Sequence, residues 1–147
     1  MIQPAKEAMA NTFVIYRKYI NIVEAANKGC PIATHDLEVN VKNRQTAIDK
    51  HHYGPANPDE PGDYWKIAAK QWSIDEKTAK TMTCGNCAAF NISDAMYDCI
   101  HNGMGKEAYE AEKTREAADL GYCNLLHFKC AGTRSCELWV TGGPIVK

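Results

Sequence analysis

The chain has almost no net charge: 17 basic residues face 18 acidic ones, −1 overall, and both signs run along its whole length. No basic face is implied, so nucleic acid is not an expected partner. Long apolar runs are missing too. None approaches the roughly 20 residues a membrane helix needs, and Phe13-Val14-Ile15-Tyr16 is the longest near the start. No membrane partner is expected. No basic stretch leads into an apolar one in the manner of an export signal, and there is no twin arginine. The expected location is therefore cytoplasmic or within a larger particle such as a virion, not export by a signal peptide. No nucleophile–base pair, phosphate loop or carboxylate dyad stands out, so an enzyme is not expected. Cysteine is the exception to this scarcity. There are seven, an odd number that cannot all pair. Disulfide frameworks belong mainly to secreted chains, and metal ligation is the better expectation for at least four of them.

Apolar periodicity predicts a helix over 5–28, with Phe13, Tyr16, Ile20 and Val23 on one stripe and Ile15, Tyr19, Ile22 and Ala26 on another. Gly29-Cys30-Pro31 ends it. A second helix is predicted over 35–51, capped by Thr34 or Asp36, with Leu37, Val41, Ala47 and Ile48 on its apolar face and Gly54 beyond its end. The two make a helical hairpin over 1–52, whose wide apolar face must pack on the rest of the chain or on protein partners. The turn-rich stretch 53–63, with three prolines, is the expected boundary. Beyond it come a short helix from Asp63 through Trp72 and another opened by the capping-box pattern Ser73…Glu76. Ser93 caps a helix to about His101. A charged one runs from Lys106 to Leu120 and closes on Gly121. The tail loses helical period, and Glu137–Thr141 reads as a strand. The expected fold class is mainly α with a small, irregular β part.

The chemistry gathers at Cys84-Gly85-Asn86-Cys87, at Gly121-Tyr122-Cys123 and at Ser135-Cys136-Glu137-Leu138-Trp139. A CxxC pair brings two sulfurs to one centre through a tight turn. Cys123 and Cys136 supply two more, and four soft thiolates suit an iron–sulfur cluster or a zinc ion. A dithiol redox site would need a buried strand before the CxxC, and the preceding residues read as helical. A zinc site would more usually carry a second paired motif. Phe90, Tyr122, Leu125, Leu126, Phe128, Leu138 and Trp139 also crowd these cysteines, a larger apolar shell than a zinc clamp needs. Cys99 and Cys130 read as inert core thiols. Cys30, at a helix end, reads as exposed and able to cross-link to a partner. His101 and His127 read as structural histidines rather than ligands of a mixed zinc centre.

Cys84-Gly85-Asn86-Cys87-Ala88-Ala89-Phe90, then Gly121-Tyr122-Cys123-Asn124-Leu125-Leu126, then Cys136-Glu137-Leu138-Trp139 resembles the high-potential iron–sulfur protein (HiPIP) family. The resemblance spans about residues 53–143. It implies a HiPIP-like domain over 53–147 that holds a 4Fe-4S cluster on Cys84, Cys87, Cys123 and Cys136. It further implies a shell made by Tyr53, Phe90, Tyr122, Leu125, Leu138 and Trp139. Residues 92–120 lengthen the interval between the second and third ligands, and the hairpin is an addition. Both turn the expectation from a free one-electron carrier toward a structural protein whose cluster staples the fold. Similarity to uncharacterised proteins of marine bacterial viruses adds a phage virion as the expected assembly.

Overall fold

The computed structural model describes residues 29–105 and 107–147. The first expected helix, 5–28, lies outside the described residues, so only the second helix of the expected hairpin is described. The remainder is mainly helical around one small antiparallel sheet.

A single turn, α1 (Ile32–His35), leads into α2 (Leu37–His51). The break between them is Asp36, whose extended backbone ends one helix while its carboxylate accepts from the Val39 N–H and starts the next. At the far end His52, not Gly54, takes the left-handed cap conformation. Next come α3 (Tyr64–Trp72) and α4 (Glu76–Ala79). The capping-box expectation fails here. Ser73 is spent as the left-handed C-cap of α3, and Asp75 caps α4 by accepting from Thr78 N–H at 2.7 Å. A 3-10 turn, Cys84–Asn86, and the strand β1 (Phe90–Asn91) follow. Ser93 caps α5 (Asp94–Gly103) as expected. The charged helix is α6 (Ala108–Ala118), and Asp119 rather than Gly121 is its left-handed cap. Gly121 belongs instead to β2 (Leu120–Cys123), which pairs with β3 (Phe128–Ala131).

The sheet order is β1-β2-β3. Phe90 lies opposite Cys123, Cys123 opposite Phe128, and Gly121 opposite Cys130. Side chains alternate along a strand, so Phe90, Cys123, Phe128 and Cys130 share one face and Tyr122 belongs to the other. Each face backs its own core. The first holds Tyr53, Phe90, Phe128 and five free cysteines, with Ala47 and Ile48 of α2 packed in. The second holds Tyr122, Ala33, Met96, Ile100 and the cysteine pair 30 and 99.

Cys30 and Cys99 are joined as a disulfide with their Cα atoms 5.5 Å apart. Cys30 is thus buried and committed within the chain, not an exposed cross-link to a partner, and Cys99 is not a free core thiol. Residues 30–52, expected as part of the hairpin, also contact the rest of the described chain. Ala47 and Ile48 lie in the thiol core, the Asn40 carboxamide oxygen accepts from the Lys129 N–H at 2.8 Å, and the disulfide ties residue 30 to 99. Residues 30–52 are continuous with the rest. The buried side of α2 carries Asn40 and Ala47, whereas Leu37 and Val41 are exposed. No helix among the described residues is long and apolar enough to cross a membrane.

Candidate metal centre

Backbone hydrogen bonds build the pocket before any side chain is considered. Cys84 N–H donates to Arg134 O at 2.6 Å and Gly85 N–H to Gly132 O at 2.9 Å, which lays the CxxC turn against the segment leading to Cys136. Gly85 permits this approach, since a Cβ there would stand 3.1 Å from Gly132 O. Ala88 N–H donates to Val140 O and Asn124 N–H to Ala89 O, both at 2.9 Å, which closes the turn on its other two sides. Thr83 and Asn86 form a reciprocal capping box around the turn, and the Trp139 indole N–H is shared between Thr83 O and Asn86 Oδ1 at 2.9 Å each. Trp139 therefore locks the CxxC from outside. Ser135, fully buried, donates its hydroxyl to Met82 O at 2.6 Å and exchanges two backbone bonds with Gly54. Tyr53 follows from that pairing. Its ring meets Phe128 edge-on at 4.9 Å, and its hydroxyl oxygen accepts from Ala131 N–H at 3.0 Å. Burial pushes its phenol well above the usual range.

Into this frame the chain delivers Cys84 and Cys87 from the turn, Cys123 from β2 and Cys136 from the loop beyond β3. Cys84, Cys87 and Cys136 are buried and Cys123 is partly exposed. Peptide N–H groups point at the sulfurs. Ala89 and Val140 donate to Cys87 Sγ at 3.5 and 3.4 Å, and Leu126 donates to Cys123 Sγ at 3.2 Å. At Cys123 these amides favour the thiolate over the thiol. The segment Glu137–Thr141, expected as a strand, is not one because its amides are spent otherwise. Glu137 N–H donates to His51 O, Trp139 N–H to Cys136 O, and Val140 N–H to sulfur.

The charges are uneven. A hydrogen bond from the Cys130 thiol, opposed by burial and helped by the amides of Leu126, Leu125 and His127, brings Cys123 down to about 6. Burial lifts Cys136 to about 12, against the Leu138 amide and with the neighbouring sulfurs adding to the rise. Cys130 is driven up, first by its hydrogen bonds to Cys123 and Cys84 and then by burial. Cys130, expected as an inert core thiol, is buried in the same core. It stands in fact among the four candidate ligands. The signal was its place seven residues after Cys123, across a hairpin that returns it to the same sheet face.

Of the expected shell, Tyr53, Phe90, Leu138 and Trp139 pack around the thiols. Tyr122 does not, because alternation along β2 sends it to the disulfide core. Leu125 does not either, since it sits on the β2–β3 turn, 47% exposed, and Leu126 fills the place instead. Among the described residues no three His, Cys, Asp or Glu side chains are placed to hold a single metal ion. One zinc at 2.3 Å from each sulfur would draw four thiolates to about 3.8 Å apart, whereas a cluster interposes its own atoms. The donor set, all sulfur, dry on one side and supplied with amide donors, fits an iron–sulfur cluster by its chemistry. No family model, curated protein or solved structure matches this chain.

Proposed function

We propose that this is a HiPIP-like 4Fe-4S protein in which Cys84, Cys87, Cys123 and Cys136 hold the cluster and the cluster staples the fold. One observation carries the reading. Four thiols from three separate segments meet in one core beneath Tyr53, Phe90 and Trp139, with peptide N–H groups aimed at their sulfurs.

Bound there, a cluster supplies a covalent cross-link and a one-electron couple. The chain's own groups set the terms of both. Tyr53, Phe90, Phe128 and Leu138 keep water from the sulfurs and so disfavour the more highly charged state, which raises the potential. The amides at Cys87 and Cys123 stabilise added negative charge and lower it. Cys84 and Cys136 are far apart in sequence, and joining them restrains the intervening chain in the unfolded state. All four ligand positions are filled by protein, which leaves no open site for substrate and favours a structural or electron-carrying role over catalysis. Exposed Leu37 and Val41 on α2 support a protein partner at that surface, within a larger assembly such as a virion.

Iron and acid-labile sulfide content, read with the visible spectrum, tests this directly. The expected protein is brown, with about four iron and four sulfide per chain. A colourless protein with one zinc per chain overturns the reading. Reversible bleaching by a mild reductant, without loss of iron, moves the role from staple to carrier.

A further inference from the structure

A second feature lies at the outer edge of the sheet. β3 is an edge strand, and two of its N–H groups are taken by side chains rather than by another strand. Lys129 N–H donates to Asn40 Oδ1 at 2.8 Å, and Ala131 N–H donates to the Tyr53 hydroxyl oxygen at 3.0 Å. The first bond fixes α2 beside the strand, and Arg44, one turn beyond Asn40, comes to the same edge. The second lays Tyr53 there. Arg134 follows from the turn after β3, where its Nη2 donates to Ala56 O at 3.1 Å. Between these elements lies a cavity of about 440 Å³, lined by Arg44, Lys129 and Arg134.

The three cations meet little to oppose them. Asp59 is the one carboxylate in the cavity wall, so three positive charges against one negative leave +2. Among the described residues none of the three cations is in an ion pair. Burial holds the Lys129 ammonium below the usual lysine range. The Arg134 Nε–H is buried and finds no acceptor among the described residues, a costly state for a donor shut off from water. A guanidinium steadied by one backbone carbonyl and left with a spare N–H suits an anionic oxygen. Tyr53, Leu120 and Ala131 make the wall apolar elsewhere.

We propose that this cavity binds a small phosphate monoester, with the phosphate on Arg44, Lys129 and Arg134 and the organic part against Tyr53 and Leu120. The inference is independent of the cluster reading. A phosphate monoester carries about −1.5 to −2 at neutral pH, which answers the surplus of +2. A carboxylate, with a single charge, does not. The volume falls within the roughly 300–1,000 Å³ of small-molecule sites, and the apolar wall gives the organic part a surface that free phosphate would leave unused.

Titration calorimetry of the full chain with phenyl phosphate tests this. The wild type should bind one molecule per chain, and Arg134→Gln and Lys129→Gln should each weaken binding about tenfold. Phenyl sulfate has the same ring and one charge, and it should bind several-fold more weakly. Should the Arg134 and Lys129 variants fail to fold, Arg44→Gln decides, since Arg44 lies on the exposed side of α2. It should keep the wild-type Tm and lose affinity several-fold. No saturable binding by the wild type overturns the proposal, and so does binding that the folded variants retain in full. Inorganic phosphate binding as tightly as phenyl phosphate overturns the monoester in favour of the free ion. Iron content has no bearing on any of these outcomes, so a failure here leaves the cluster reading standing.

Discussion

At the scale of single residues, the sulfur atoms here differ more from one another than their shared name suggests. Cys123 has its thiol pulled down to about 6 by the Cys130 hydrogen bond and by backbone amides, and it is partly exposed. In iron-free protein it should therefore be the first cysteine alkylated by iodoacetamide, because the thiolate is the nucleophile. Its rate should level off above about pH 7, as followed by peptide mass spectrometry; a rate still climbing tenfold per pH unit at pH 8 would refute this. The same depression has a stability consequence. Between about 6 and the ordinary thiol value near 9, the unfolded chain binds a proton at Cys123 that the folded chain does not. Stability from this group is then present above 9 and is lost as pH falls through 6. Urea midpoints of iron-free protein should rise from pH 6 to pH 9, and Cys123→Ser should flatten the rise. Trp139 acts through its indole N–H, which ties the CxxC turn to the last ligand loop. Trp139→Phe should cost about 1 kcal/mol in urea unfolding, with faster iron loss.

At the scale of elements, β2 shows how little sequence decides a face. Gly121 lets the Phe90 ring lie against the strand, and a Cβ there would come within 2.5 Å of it. Gly121→Ala should destabilise by about 1–3 kcal/mol through displacement of Phe90, measured as a lowered Tm. The four-thiol convergence was legible from three short motifs, since CxxC geometry is local and the surrounding aromatics are visible in the string. Tyr122 packs in the disulfide core, because adjacency to Cys123 in sequence means the opposite face in a strand. Leu125 is exposed, because a turn exposes what a strand would bury. The period of α2 was legible and its buried side was not. Asn40 faces inward to receive the Lys129 amide, and Leu37 and Val41 face out. Helix caps failed where two residues competed for one role, as Ser73 did with Asp75.

At the scale of the whole molecule, the sheet divides two kinds of sulfur. One face backs free thiols, and the other backs the Cys30–Cys99 bond, 69 residues apart in sequence. That pairing could not be read from the sequence, because neither cysteine has a motif and only the packing of α1 against α5 brings them together. A loop of that length gives about 4 kcal/mol by the chain-entropy account. Reduction of the disulfide, or Cys30→Ser with Cys99→Ser, should lower Tm accordingly while leaving iron content unchanged. Removal of iron should do the converse. Amide exchange should quicken over 84–91 and 128–140 and stay slow over α5, a division that hydrogen-exchange mass spectrometry resolves.

The two faces also ask opposite things of their surroundings. Under the proposed cluster, the thiols on one face must be reduced when iron arrives, whereas the Cys30–Cys99 bond on the other face is oxidised, with a three-stranded sheet between them. A single redox condition serves one and opposes the other. On that proposal metal goes in first and the disulfide closes second, so a preparation oxidised before iron is added should stay colourless until it is reduced.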